Sequence, residues 1–394
     1  MCTTYLAAKL CRLLNVTKNP RLIRLNPNIP YKTRGNGAVA FSTDDGAQKT
    51  ILAYVKKYSR VEDERTNPGV VFLKDEEKAT RLHPFYRRTV SELVTIEEAE
   101  EVASKVGAEC HKLKNGRGII GALAAIGFTG DKTYEIISYR QEENWGTPRK
   151  IDDASIHEMD RLLYPKVFDN IGPDGKRILI TPRGYDPILC GIRGTSLAAV
   201  EAAWRIVKPK EPVEFTQVFE TNQATDAHLV KKKISAIKPY DCVIVSGKLS
   251  AKPKIISGGH IIFSITDATG EIDCAVYKKS GTLRDIAAAL TMDDEIKAYG
   301  GISRHPKTIN LEKIEVMALC QEKTTTKPKC CSKTMTSAGR EKGYKCKKCG
   351  KKVSHGEVMV CPGDRSIKLG LYDVPPGSRR HLSRPVFLMS KGGY

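Results

Sequence analysis

The chain has 394 residues, with 65 Lys and Arg against 45 Asp and Glu, a formal charge of +20, and 12 cysteines. That length accommodates two to four domains, and the positive excess favours an anionic partner, nucleic acid being the commonest. The longest apolar run, 118–128, is Gly-rich and too short to cross a bilayer, and no charged segment followed by an apolar stretch marks a secretory signal. From residue 321 onward 17 Lys and Arg face only 5 Asp and Glu, so much of the excess sits in the last fifth of the chain. Seven cysteines are scattered through the first 320 residues and five cluster at 330, 331, 346, 349 and 361. This suits a reduced cytosol and one metal site better than a disulfide framework.

In chain order, TTYLAAKLCRLL (3–14) predicts a helix with Thr3 or Thr4 as its N-cap. The other use of such a hydroxyl beside a helix N-terminus is to meet a phosphate. Residues 21–29 alternate apolar and polar side chains and then run into Lys32, Thr33, Arg34, Gly35, Asn36 and Gly37, with AVAF as a second strand behind. This pattern reads as a strand delivering a loop. Gly35 and Gly37 let backbone N–H groups approach a ligand, and Lys32 and Arg34 add charge-assisted donors. The plain reading is a basic hairpin turn; the functional one is a phosphate or nucleotide loop.

A helix is expected near 45–58, a strand over 69–73 after the turn at 67–69, and an acidic amphipathic helix over 91–106 that reads as a solvated face. From about 109 a second α/β unit begins. Its Gly-spaced apolar stretch 116–128 suits a helix packed closely on a sheet, and strands are expected over 133–140 and 177–184. Residues 188–207 move from strand through a Gly turn into a helix capped by Thr195 or Ser196, and the alternation suits a ferredoxin-like α+β domain. Residues 240–318 read as five short strands with a helix over 282–291 and a turn at 267–270, the pattern of an OB-fold barrel. Phe263 and Tyr277 could stack bases or lie in the core, and Asp267 and Gly270 are turn residues under either reading.

Cys346-Lys-Lys-Cys349-Gly350 is a knuckle of the kind that places two thiolates on one zinc, with Cys330 and Cys331 earlier as its partners. Lysines at 342, 345, 347, 348, 351 and 352 surround it and would grip phosphates. The tail 374–385 places Arg379, Arg380, His381 and Arg384 behind Pro375 and Pro376 as a further anion-binding element.

Five stretches in order carry a resemblance: MCTTYL at the start, NPNIPYKTRGNGAV at 26–39, TNPGVV at 66–71, GRGIIGALAAIG at 116–127 and YDPILCGIRG at 185–194. Together they closely resemble the archaeal agmatidine synthases, which attach agmatine to the wobble cytidine of an isoleucine tRNA. The resemblance runs to about residue 385. It implies a multidomain α+β protein. The parts are a kinase-like α/β ATP-binding domain (1–108), a ferredoxin-like domain with the agmatine site (109–220), an OB-fold tRNA-binding domain (221–320), and a zinc ribbon with a basic tail (321–394). It implies ATP, magnesium and zinc as cofactors and a cytoplasmic enzyme. The partners are the CAU-anticodon isoleucine tRNA and agmatine, and no membrane. The reaction is carbon–nitrogen ligation at carbon 2 through a phosphorylated base, consuming ATP to AMP and allowing AUA decoding.

The resemblance makes Thr3, which can itself become phosphorylated, catalytic together with Lys32 and Arg34, and assigns nucleotide binding to Thr4, Gly35, Asn36, Gly37 and Asn67. A cationic amine needs carboxylates, since burying its charge unpaired is costly. Asp160, Asp169, Asp186 and Asp226 are candidates, each also readable as a cap or turn residue. Lys345, Lys347, Lys348, Arg379, Arg380, His381 and Arg384 are the expected tRNA contacts. Relatives space the first cysteine pair by two residues, whereas Cys330 and Cys331 are adjacent. Their side chains are expected to diverge, leaving one of them, with Cys361, His355 or water, to complete a zinc shell built on Cys346 and Cys349. Relatives also carry a strand ending in a run of aspartates just before MCTTYL, which helps hold ATP and its metal. The Asp44–Asp45 pair follows the second strand and is not a substitute, so the expectation is that the true start lies upstream. The alternative is a non-catalytic RNA- or single-strand-binding protein using only the barrel and the ribbon. A bacterial-type lysine-adding enzyme is set aside, because the only SGG, at 257–259, continues into a barrel strand.

Overall fold

Leu6, Leu10 and the small residues between them form one side of the first helix, Thr3–Leu13, which buries Tyr5, Ala8 and Leu10. Its N-cap is Cys2, in extended backbone, and neither threonine caps it. The structure, a computed structural model, describes residues 2–32, 35–304, 308–320, 323–339, 342–354, 357–360 and 365–389.

The helix packs on a six-stranded sheet whose order is Gly37–Ala40, Arg21–Arg24, Val213–Thr221, Thr133–Arg140, Ile188–Gly194 and Val167–Phe168. All neighbours are antiparallel except Arg21–Arg24 with Val213–Thr221. Successive strand residues face opposite sides. Ile137 accordingly joins Tyr5, Leu22 and Phe219 under the first helix, while Ile136 joins Ile156, Met159 and Val200 under the helices Asp153–Leu163 and Leu197–Ile206. The latter helix is capped by Ser196, which accepts from the Ala199 N–H.

Two expected elements differ. Residues 177–184 are not a strand: they make one bridge, Ile171 to Ile178, and tuck Ile180 against the sheet. Pro182 has no N–H to offer a ladder. The acidic helix begins later, at Ile96, where Thr95 and Glu98 form a capping box. It is more than a solvated face, because Ala99, Ala103 and Val106 pack against Ile119 and Leu123.

The five strands Cys242–Leu249, Ile261–Asp267, Gly270–Val276, Glu295–Ile302 and Thr308–Ala318 close into a barrel through the pairing Lys248–Thr266. The helix Thr282–Ala289 lies between the third and fourth. Phe263 belongs to the core, while Tyr277 is half exposed and its hydroxyl donates to Asn310. No helix among the described residues is long and apolar enough to cross a membrane.

The helix Gly118–Ile126 meets the strand Gly69–Phe72 with no side chains between them. A Cβ on Gly118 would overlap the backbone of Asn67, Pro68 and Gly69, and one on Gly69 would overlap Gly118 and Ile119. Backbone cannot give way as a flexible side chain can. Gly118→Ala is expected to lower the unfolding free energy by about 1–3 kcal/mol in urea titration. Gly46→Ala, with open space around it, is expected to change it by less than about 0.5 kcal/mol.

Candidate active site and metal centre

The turn 67–69, the N-terminal end of the helix Gly118–Ile126, the loop after Arg24 and the first helix enclose a cleft of about 1080 Å³. Thr3, Lys32, Asn36, Gly37 and Asn67 all line it, so segments far apart in sequence converge on one space. Arg34 lies outside the described residues. Thr4 faces away: it is buried, with its hydroxyl 3.1 Å from Cys2 Sγ. Gly35 is not in the lining, and its carbonyl accepts from Arg24 at 3.4 Å.

The loop has a definite internal geometry. Asn36 holds a left-handed backbone (φ 40°), donates its side-chain amide to the Asn26 carbonyl at 2.8 Å, and accepts from Leu25 N at 2.8 Å. Lys32 Nζ donates to the Pro27 carbonyl. Burial pushes the Lys32 ammonium below its usual range, and the charge of Arg380 pushes the same way. At the mouth Tyr31 is 59% exposed, and the Arg117 guanidinium lies 4.3 Å from its ring centroid. The sequence reading missed Arg117, whose place beside the loop depends on the contact between Gly69 and Gly118. Asp44 and Asp45 lie on the rim.

The four candidate aspartates separate. Asp160 accepts from Asn170 at 2.9 Å. Asp169 is buried, 3.5 Å from Arg193 and ion-paired with Arg379. Asp160 and Asp169 share a neighbour in the half-exposed Tyr164, whose hydroxyl is shifted upward by burial and then by the nearby carboxylates. Asp186 pairs with Arg149 at 2.8 Å. Asp226 binds the fully buried Lys313 at 2.6 Å and accepts from the Arg384 N–H at 2.7 Å. A further carboxylate escaped the sequence reading. Glu135 is buried in its strand, 2.6 Å from Gln223 Nε2 and 3.7 Å from Arg24. An acid inside a strand buried on both faces is the signal that marked it.

The tail differs from a surface anion-binding element, because its arginines turn inward. Arg379 pairs with Asp169 and Asp373, Arg380 contacts Asn28 and lies 3.5 Å from Glu312, and Arg384 reaches Asp131 at 2.8 Å. These acids come from distant parts of the chain, so a local run of charge looked solvated when it was not. His381 keeps exposed surface yet is closely surrounded. Arg24 beside it, that crowding and Arg193 hold its imidazole well below the usual range. Burial opposes the charge on Glu312, but His228 at 3.1 Å, Arg380 and Lys313 outweigh it and draw the carboxyl down to about 2.

In the last segment the sulfurs of Cys330, Cys331, Cys346 and Cys349 all lie within 4.8 Å of one another. Cys331 and Ser332 are left-handed (φ 50° and 61°), which turns both adjacent thiols to one side. The Cys330–Cys331 and Cys330–Cys349 sulfur separations are 3.9 and 3.5 Å. Four sulfurs about 2.3 Å from a central zinc would stand about 3.8 Å apart, so the cluster fits that ion, and Cys330 and Cys331 both take part. Backbone N–H groups of Cys349 and Lys348 pull the Cys346 thiol down to about 6. Cys330, hydrogen-bonded by Cys349 and Cys346, is pushed up to about 12. Without a cation the four sulfurs share protons; a divalent ion lets all ionise together. His355 and Cys361 lie outside the described residues. Beside the cluster, Lys342, Lys345, Lys347 and Lys352 line a second concavity, with Lys348 exposed next to it.

Residues 1–51 match the TiaS TCKD domain, 116–228 the TiaS FLD domain and 327–367 the TiaS C-terminal zinc ribbon domain. The chain is 46% identical over 403 residues to the isoleucine-tRNA 2-agmatinylcytidine synthetase TiaS of Pyrococcus horikoshii, covering 98% of this chain and 94% of that one. It is 41% identical to the Methanocaldococcus jannaschii protein, covering 98% and 95%. A crystal structure of TiaS with tRNA and ATP superposes with a TM-score of 0.89 at 37% identity, covering 100% of this chain and 94% of that one. One of TiaS with tRNA, AMPCPP and agmatine gives 0.86 at 36%, covering 100% and 95%.

Metal analysis of the purified chain is expected to find about one zinc per chain. Cys331→Ser should lower that content, whereas Cys361→Ser should leave it unchanged. The opposite result would give the fourth position to Cys361. Glu312 provides an acid test of the interior. Its folded pKa lies below its ordinary value of 4.5, so its stabilising effect is full above 4.5 and fades as pH falls toward about 2. The thermal midpoint should therefore drop across that window, and less steeply in Glu312→Gln.

Proposed function

The chain belongs to the TiaS family of isoleucine-tRNA 2-agmatinylcytidine synthetases, and from that premise we propose which of its parts carries each task. The enzyme is a ligase that joins agmatine to the wobble cytidine of an isoleucine tRNA, using ATP. The chemical obstacle is the 2-oxo group of cytosine, a poor leaving group. A phosphoryl group derived from ATP is placed on that oxygen. The agmatine amine then attacks carbon 2, the carbon–oxygen bond breaks, and phosphate leaves with the electron pair while the amine gives up a proton.

The cleft is the phosphoryl-transfer site of a kinase-like region over 1–108. The observation that carries this reading is the convergence there of Thr3, Lys32, Asn36, Gly37 and Asn67 from three separate segments. Lys32, with Arg34, opposes charge on the transferring group, and Asn36 and Asn67 orient the nucleotide. Magnesium would add charge neutralisation on the phosphates. Among the described residues, the sulfur cluster is the only group of three or more His, Cys, Asp or Glu side chains placed to share one ion.

Residues 109–220 form a ferredoxin-like unit that holds agmatine; of the candidate carboxylates Asp160, beside the half-exposed Tyr164 and hydrogen-bonded to the neutral Asn170, is the best placed, since Asp169 is already paired with Arg379. The closed five-stranded barrel of 221–320, with its helix between strands three and four, supports an OB-fold that binds tRNA. The lysine-lined concavity of the ribbon supports phosphate contacts through Lys345, Lys347 and Lys348. A flipped-out base is required, since a stacked cytosine cannot be attacked at carbon 2. The workplace of such an enzyme is the cytoplasm, where tRNA is found.

Full-length protein incubated with tRNA, ATP and labelled agmatine should transfer label to tRNA. Lys32→Ala is expected to reduce that transfer by about 10²–10³-fold while tRNA affinity stays within about twofold, because the lysine lies in the cleft and not on the ribbon. Unchanged turnover in Lys32→Ala would remove the cleft from the reaction.

A further inference from the structure

We propose that Arg380 is a positioning residue: through Asn28 it sets the loop that carries Lys32, and so couples phosphoryl transfer to the seating of the barrel. The inference rests on reading the cleft as the phosphoryl site. The loop between the strands Arg21–Arg24 and Gly37–Ala40 contains no helix or strand among its described residues, so its shape is fixed by what it touches. On one side it touches the barrel. Asn26, fully buried, donates to the Tyr240 carbonyl at 2.8 Å. Asn28 donates to the Asp241 carbonyl at 3.3 Å and approaches Cys242 Sγ at 3.1 Å, at the start of the first barrel strand. The barrel strand Glu295–Ile302 comes so close that a Cβ on Gly301 would overlap the Asn28 amide.

On the other side the loop feeds the cleft. The carbonyls of Asn26 and Pro27 accept from Asn36 and Lys32 respectively, so Asn36 hangs from a residue that the barrel grips, and Lys32 from Pro27, which lies between the two gripped residues Asn26 and Asn28. Arg380 closes the arrangement. Its guanidinium donates to Asn28 Oδ1, the one amide atom the barrel does not use, and lies 3.5 Å from Glu312 on the strand Thr308–Ala318. Glu312 Oε1 is buried and has no hydrogen-bond partner among the described contacts, so its charge relies on nearby cations such as Arg380. The same guanidinium is close enough to Lys32 to disfavour its protonated form. An arginine that only glued the tail in place would need Glu312 alone. This one also reaches the loop, and a shift of the barrel on binding nucleic acid would be felt at Pro27 and therefore at Lys32.

The test uses the full chain with tRNA, ATP and labelled agmatine, reading kcat at saturating substrates, tRNA Kd by filter binding, and thermal midpoint. Arg380→Ala and Asn28→Ala should each lower kcat by about tenfold or more, since small misplacements near a reacting group have effects of that size, with tRNA Kd within about twofold. The double variant should lose less than the product of the two single effects, because both remove the Arg380–Asn28 contact. Gly301→Ala should give the same kcat loss from the barrel side with Arg380 untouched. Arg380→Lys should recover part of the rate, keeping the charge but not the fork. An unchanged kcat, multiplying single effects, a loss confined to tRNA Kd, or a loss that merely follows the folded fraction in every variant would each overturn the proposal. If Lys32→Ala abolishes turnover while Arg380→Ala does not, only the coupling fails; if neither matters, the reading of the cleft fails first.

Discussion

The parallel pairing of Arg21–Arg24 with the end of Val213–Thr221 is the contact on which the architecture depends. It spans only two residue pairs, Arg21 with Glu220 and Leu22 with Thr221. Asn222 then continues it with a side chain, accepting from the Arg24 N–H at 2.8 Å and donating to the Arg24 carbonyl at 2.9 Å. A buried amide that satisfies both backbone groups of one residue fixes where the strand ends. The loop bearing Lys32 starts one residue later. Its direction, and therefore the wall of the cleft, follows from that termination. The same pairing makes the first segment part of a sheet whose other strands come from residues 133–221, so the cleft cannot form from the first hundred residues alone.

How much of this was legible in the sequence depended on whether partners lay nearby along the chain. The barrel was legible strand by strand, because its mostly antiparallel strands alternate core and surface side chains, as Val243 and Val245 or Ile261, Phe263 and Ile265 do. Residues 177–184 look the same locally, but Pro182 has no N–H for a ladder, and apart from the Ile171–Ile178 bridge they reach the sheet through one bond, the Ile180 carbonyl accepting from Gly191 N at 2.9 Å. The cleft residues Thr3, Lys32, Asn36 and Asn67 were found through motif and resemblance. Arg117, which also lines the cleft, and Glu135, buried outside it, were not, since neither stands out until the backbone contact at Gly69 and Gly118, or the burial of both faces of a strand, is seen. Adjacent Cys330 and Cys331 looked incompatible with one ion because ordinary extended backbone points successive side chains apart. Two consecutive left-handed residues, costly for any non-glycine, reverse that, and a bound metal is what can offset such strain.

The inward turn of the tail also changes what the formal charge means. Arg379 faces Asp169 and Asp373, Arg380 faces Glu312, and Arg384 faces Asp131, so these charges hold the tail, the barrel and the central sheet against one another. Removing one partner of such a buried pair leaves the other charge uncompensated, a larger effect than the pair's net contribution to stability. On the ribbon, by contrast, Lys342, Lys345, Lys347 and Lys352 face a common concavity.

That surface has little else to hold it in place. The strands of the ribbon are two to four residues long, and such short pairings do not stabilise themselves in water. Cys346, with its thiol lowered by backbone donors, and Cys349 flank Lys347 and Lys348, so the metal that orders the knuckle also fixes the spacing of the lysines between and beside its ligands. Zinc binding here is therefore folding free energy, and on the proposed reading of the ribbon as a phosphate contact it would act on RNA affinity indirectly. It holds like charges together that would otherwise separate by repulsion, and a preassembled cationic patch loses less conformational entropy when it meets a phosphate backbone than a flexible one does.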